Sequence, residues 1–175
     1  MRHLLYVIVL FSETAGYAKA QVEVEERDVK AAFLRNFARF VEWPAGTFKS
    51  PSDPIVICVI GEDSFASVQA AAQGKTVETH SLVVRQLAGV DRAAACHILF
   101  ISASERKRVR SILDSLPDCG VLTVGEVPGF AGAGGVINFK NVEGRIRIEI
   151  NPAAAERQHL HVSAKLMNLA EIVKK

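Results

Sequence analysis

Apolar and polar positions follow two periods along this chain, and the changes between them mark out its elements. Near the C-terminal third, Arg145, Arg147 and Glu149 alternate with Ile146, Ile148 and Ile150, the period-two pattern of a strand buried on one face only. Two extended stretches precede it, residues 121–124 and 136–139, separated by a glycine-bearing loop over 125–135 and followed by a turn at 141–144. Asn151 is placed to cap a helix, with Pro152 at its first position, where a missing N–H costs nothing. Residues 121–152 thus form a strand-rich closing module.

Upstream the period lengthens. Val29, Phe33, Phe37, Phe40 and Val41 make an apolar stripe that predicts a helix over residues 25–43, ended by Trp43-Pro44. At helical spacing, Phe33, Phe37 and Trp43 read as core before they read as a ligand box. Residues 49–54 are a turn-rich connector, and Ile55–Ile60 is an unbroken apolar run, as expected of a central parallel strand covered on both faces. Phe65, Val68, Ala71 and Ala72 predict a short helix ending at Gly74, with extended stretches at 76–79 and 82–87. A further buried strand over 97–101 leads into Ser102 and Glu105 at capping-box spacing. Val109, Ile112, Leu113 and Leu116 then form a helical stripe stopped by Pro117. The basic cluster Arg106, Lys107, Arg108 and Arg110 lies opposite, as a solvated face. In the tail, residues 152–157 read as a helical turn or two and 160–162 as extended. Ser163 caps a last helix carrying Leu166, Leu169, Ala170 and Val173, expected to dock on the core. This order predicts an α/β fold in a single domain: a mainly parallel central sheet flanked by helices, with antiparallel strands added at the C-terminal edge.

Composition narrows the class. With 175 residues, 49% of them hydrophobic, and a net charge of +2, the chain can bury a real core and offers no electrostatic case for nucleic acid. Arg2 and His3, the apolar stretch 4–11 and Ala18-Lys19-Ala20 make a signal peptide over residues 1–20, cleaved after Ala20. The expected product, residues 21–175, is exported to a periplasm, where disulfides are permitted. Cys58 lies within one apolar run and Cys96 just before another. If the runs are neighbouring parallel strands the two sulfurs can meet; the other reading is three buried thiols, Cys119 included.

Local motifs for chemistry are missing. The loop GEVPGFAGAGG is followed by a strand-like run instead of a helix and has no Lys-Ser or Lys-Thr pair, so it is no phosphate cradle. Glu156, His159 and His161 lack further ligands for zinc and read as a surface turn. No G-x-S-x-G elbow or cysteine nucleophile motif is present. The chain therefore reads as a non-enzyme with no metal and no cofactor.

Several segments in combination, KAAFLRNFARFVEWP (30–44), CHILFIS (96–102), VLTVGE (121–126), FAGAGGVINF (130–139), RIRIEINPAAAER (145–157) and SAKLMNLAEIV (163–173), resemble the YfiR family of bacterial periplasmic proteins. The resemblance implies a periplasmic α/β repressor of an inner-membrane diguanylate cyclase of the YfiN type, whose release raises cyclic di-GMP and promotes biofilm. An outer-membrane lipoprotein of the YfiB type would sequester it, and a homodimer is a further assembly it admits. The family's association with oxidation-dependent stability suits Cys58 and Cys96. Its second disulfide, expected near the glycine-rich region, has no cysteines here. Candidate docking residues are Trp43 and Pro44 at the first helix end, Phe130 in the glycine-rich loop, and Arg145, Arg147 and Glu149 on the polar strand face. The alternative is a periplasmic small-ligand sensing module acting on another membrane sensor, with a pocket flanked by Trp43, Arg145 and Arg147 for an aromatic or anionic ligand.

Overall fold

The computed structural model describes residues 26–62 and 64–173. The expected signal peptide and its cleavage site lie outside these residues. Helix α1 covers 26–37, followed by β1 (Val41–Glu42), β2 (Ile55–Ile60), α2 (Phe65–Ala72), β3 (Thr76–Val77), β4 (His80–Leu87) and a 3₁₀ turn over Val90–Ala95. Next come β5 (Ile98–Ile101), a 3₁₀ turn over Ala103–Glu105, α3 (Val109–Asp114), β6 (Leu122–Gly125), β7 (Ile137–Val142) and β8 (Arg145–Ile150). The chain continues with α4 (Pro152–Arg157), β9 (His161–Val162), α5 (Ala164–Met167) and β10 (Glu171–Ile172).

Eight strands form one sheet in the order β10-β8-β7-β6-β5-β2-β4-β3, while β1 and β9 make a separate two-stranded ribbon. The pairings β2–β4, β2–β5, β5–β6, β6–β7 and β10–β8 are parallel. The β7–β8 hairpin and the β3–β4 pair are antiparallel. This is the α/β architecture that the apolar runs predict. All six residues of β2 are buried, as its central place requires.

Period two along the strands sorts their side chains into two cores. One face carries Ile57, Val59, Ile98, Phe100, Leu122, Val124, Ile137, Phe139, Ile148 and Ile150, covered by α1, α2, α4 and α5. The other carries Val56, Cys58, Ile60, Leu99 and Ile101, covered by the Val90–Ala95 turn, α3 and Phe130. Helix α1 docks through Ala31, Leu34, Phe37 and Ala38, and Phe37 stacks on Phe139 with ring centroids 5.7 Å apart.

Three expectations change at element ends. Helix α1 stops six residues early because Val41 and Glu42 pair with Val162 and His161. The inward face is made by Ala31, Leu34, Phe37 and Ala38, and Val29 of the expected stripe is exposed. The capping box after β5 does not form: the Ser102 and Ser104 hydroxyls bond each other at 2.7 Å. Instead the Ala103 N–H is satisfied by Glu126 Oε1 at 2.9 Å. The last helix shrinks to α5, because residues 171–172 join β8 as a parallel strand, and Leu169 stands 70% exposed instead of docking. Two caps are as expected: Asn151 Oδ1 accepts from the Ala154 N–H at 3.0 Å, and Ser163 Oγ accepts from the Leu166 N–H at 3.4 Å.

Candidate functional site: an uncovered charged half of the sheet

Alternation along β7 and β8 places Asn138, Lys140 and Val142, with Arg145, Arg147 and Glu149, on the face opposite the α1 core. Over β2 and β5 that face is roofed; over β7 and β8 none of the second core's residues lies above it. Among the described residues, the part of this face that runs from Lys140 and Val142 to Arg145 and Arg147 is therefore left bare, while Asn138 is buried. Its cross-strand pairs are Asn138 with Glu149, Lys140 with Arg147, and Val142 with Arg145. Val142 is 43% exposed.

The acidic end of this floor is tightly connected. Lys140 Nζ lies 3.0 Å from Glu149 Oε1 and 3.1 Å from Glu171 Oε2. Hydrogen bonds to Glu149 and Glu171 raise the Lys140 pKa above its ordinary value. Asn138 donates from Nδ2 to Glu149 Oε2 at 2.9 Å. A second group sits at the adjoining edge, where Lys30 Nζ contacts Glu26 Oε1 at 2.6 Å and Glu126 Oε2 at 2.7 Å. Asn141 Nδ2 donates to Glu26 Oε2 at 2.8 Å, tying the hairpin to α1. Burial alone would depress the Lys30 pKa, but its bonds to Glu126 and Glu26 outweigh that and raise it. At Glu26 burial pushes the carboxyl up, and the bonds from Lys30 and Asn141 bring it below its ordinary value. Between the two groups lies a cleft of about 510 Å³ lined by Glu126, Pro128, Gly129, Asn138, Lys140 and Glu149, among others.

The basic end is different. Arg145 and Arg147 are exposed and make no ion pair among the described residues. Lys140 and Arg147 face each other as like charges, an arrangement that costs stability unless an anion intervenes. Glu149 is half-buried and already committed to Lys140 and Asn138, so it shapes the floor more than it presents itself.

Phe130, expected on the surface, is 1% exposed, so it is withdrawn as a docking residue. Its ring fills the positions where side chains on Gly125 and Gly135 would project, so only glycine is tolerated at either place. The glycine-rich loop is thereby bolted to the sheet and forms one wall of the cleft.

Trp43 and Pro44 lie at the other end of the sheet. Trp43 meets the Phe48 and His97 rings edge-on at 6.1 and 6.0 Å, and His97 directly precedes β5. Arg145 follows the C-terminal end of β7, which runs parallel to β5 through β6. A single pocket flanked by Trp43, Arg145 and Arg147 is therefore not formed. Phe48 stacks between His97 at 4.7 Å and His80 at 4.3 Å. His97 Nδ1 accepts from the Val56 N–H at 3.0 Å. Burial, then the nearby His80, lowers the His97 pKa, with Asp53 opposing.

Cys58 and Cys96 are bridged, with Cα atoms 5.8 Å apart, and Cys119 is free and exposed. Glu156, His159 and His161 are all exposed, and among the described residues no three acidic, histidine or cysteine side chains are grouped to hold a metal. No described helix is long and apolar enough to cross a membrane. The sequence reading overlooked Asn138, Lys140, Glu126 and Lys30. The alternation in INFKNV marks the first two as partners of the β8 polar face, whereas Glu126 and Lys30 meet across 96 positions and leave no local trace.

A mainly parallel sheet, roofed fully on one face and half-way on the other, defines an α/β protein with an exposed charged surface. Residues 27–171 match the family described as YfiR/HmsC-like (DUF4154), and the chain belongs to that family. No curated protein sequence matches it. Among solved structures, a conserved domain protein from Vibrio cholerae O1 biovar El Tor str. N16961 superposes with a TM-score of 0.52 at 11% identity, over 69% of this chain and 55% of that one. The ABC domain in complex with L-Trp from Streptococcus pneumoniae gives 0.56 at 7% identity, over 82% and 60%. At such identities the likeness is one of fold alone. The chain spans a little over half the length of either structure.

Proposed function

We propose that this protein is a periplasmic negative regulator that binds the periplasmic domain of an inner-membrane diguanylate cyclase and holds cyclic di-GMP synthesis down. The observation that carries this reading is membership of the YfiR/HmsC-like family across residues 27–171. The Cys58–Cys96 bridge suits an oxidising compartment. Such regulation makes and breaks no bond. It requires only that the protein bind the inactive form of its partner more tightly than the active one, by about 1–3 kcal/mol.

The bare half of the sheet is the docking surface in this reading. Arg145 and Arg147, with no ion pair among the described residues, carry positive charge beside the exposed Val142, so the complementary patch on the cyclase is acidic around an apolar contact. An outer-membrane lipoprotein would compete by taking the same surface. Deleting the gene should raise cellular cyclic di-GMP, and restoring it on a plasmid should lower it again. Unchanged cyclic di-GMP in a strain that normally expresses the protein would refute the reading.

A further inference from the structure

At its β3 end the sheet has an open edge. Strand β3 pairs with β4 only at Val77–His80 and Thr76–Ser81, and the Leu82 N–H is then taken by the Lys75 carbonyl at 3.1 Å. Main-chain groups of alternate strand residues point to the same side. Val84 and Gln86 therefore turn their N–H and C=O groups outward with Leu82, while Val83, Arg85 and Leu87 serve the β2 ladder. Among the described residues nothing bonds the outward groups of Val84 and Gln86. The strand has no proline, and its register with β2 is unbroken, so no bulge turns this edge away from a further strand.

A cleft of about 630 Å³ adjoins the same strand, a size in the range of ligand pockets. Arg85 is the register partner of Cys58, so its side chain lies on the face of the second core, with those of Val83 and Leu87. There Leu87, Ala94, Ala95 and the bridged Cys58 and Cys96 give the cleft an apolar lining. Three charged residues share that lining, Arg85, Arg92 and Asp91. All three are exposed and without an ion pair among the described residues, which leaves the cleft a net charge of +1. Glu62, which follows Gly61 at the exit of β2, is not part of the lining.

A strand added beside β4 would meet both features at once. Its main chain would take the outward groups of Val84 and Gln86, and its alternate side chains would fall on the cleft side, opposite Val83, Arg85 and Leu87. We propose that the β4 edge and this cleft bind an extended segment of another polypeptide, with an acidic residue opposite Arg85 and apolar residues two positions to either side of it. A second copy of this chain is a poorer fit, because β4 itself carries no acidic residue to meet Arg85. The site lies toward the opposite end of the sheet from Arg145 and Arg147 and does not rest on the cyclase reading.

The test is an NMR titration of the isotope-labelled protein with the blocked peptide acetyl-Ser-Val-Thr-Glu-Thr-Val-Ser-amide. Saturable shifts are expected at the amides of residues 83–87, and hydrogen exchange at Val84 and Gln86 should slow about tenfold or more at saturation. Methylating the backbone nitrogens of both threonines, which would face Val84 and Gln86, keeps every side chain and should abolish binding. Arg85 is exposed, so Arg85→Glu is expected to fold. It should weaken the peptide about tenfold, and a peptide with lysine in place of glutamate should recover the loss. No saturable shift at 83–87, equal binding of the methylated peptide, or unchanged affinity in Arg85→Glu would overturn the proposal. So would a dimer in sedimentation whose Val84 and Gln86 amides exchange slowly without peptide, since that assigns the edge to a second copy.

Discussion

Phe130 is a large apolar side chain in a loop, PGFAG, that reads as exposed turn, yet its ring is held over the sheet by the empty positions at Gly125 and Gly135. Phe130→Ala should cost about 3–5 kcal/mol, because the cavity is walled by backbone that cannot collapse into it; urea unfolding measures this. His97 makes a separate point about titration. Its folded pKa lies below the ordinary 6.5, so between the two values the unfolded chain binds more protons than the folded one. Stability therefore falls as pH drops from about 6.5 toward the folded value, and above that range His97 contributes no pH dependence. His97→Asn offers an acceptor to the Val56 N–H without a titrating ring. It should flatten that part of the stability–pH curve, as followed by thermal melts between about pH 5 and 7. The His97 environment is not local in sequence, since Val56, His80 and Phe48 reach it only through the fold, whereas the two glycine slots that hold Phe130 lie five residues to either side of it.

Elements that draw their stability from their own residues were legible, and elements that borrow a partner were not. The buried run Ile55–Ile60 and the alternation Arg145–Ile150 became β2 and β8 with their predicted bounds, and Asn151 became the cap of α4. By contrast, Val41 was claimed by Val162, and Glu171 by Glu149. In both places an apolar spacing fit for a helix was overruled by pairing across the chain. Helical stripes near a sheet edge carry this ambiguity, since two or three residues can be taken as a short strand without disturbing the core. The disulfide belongs to this scale because it ties β2 to the residue just ahead of the entry to β5, closing a separation of 38 residues. Chain entropy assigns such a closure about 4 kcal/mol, though engineered cases often give less. Cys58→Ala with Cys96→Ala should lower the urea midpoint accordingly. Dithiothreitol should reproduce the shift in the natural protein and have no effect on the variant.

At the scale of the whole molecule, the two sheet faces divide the work. One is apolar and roofed along the sheet, so substitutions there act through stability. The half-bare face has charges held by other charges at one end and, at the other, two exposed arginines with no ion pair among the described residues. Arg145→Glu with Arg147→Glu should leave stability within about 0.5 kcal/mol, as exposed substitutions usually do. If that surface is the docking face, cyclic di-GMP in cells carrying the variant should rise to the level of the deletion strain. Normal repression by a folded double variant would move the contact elsewhere. The bolted loop has a final consequence. With an aromatic ring pinning it from beneath, the rim beside Glu126 and Gly129 is held in place. Backbone held in this way should open rarely, so the amides of residues 125–135 should exchange with deuterium far more slowly than loop amides usually do, and Phe130→Ala should speed that exchange.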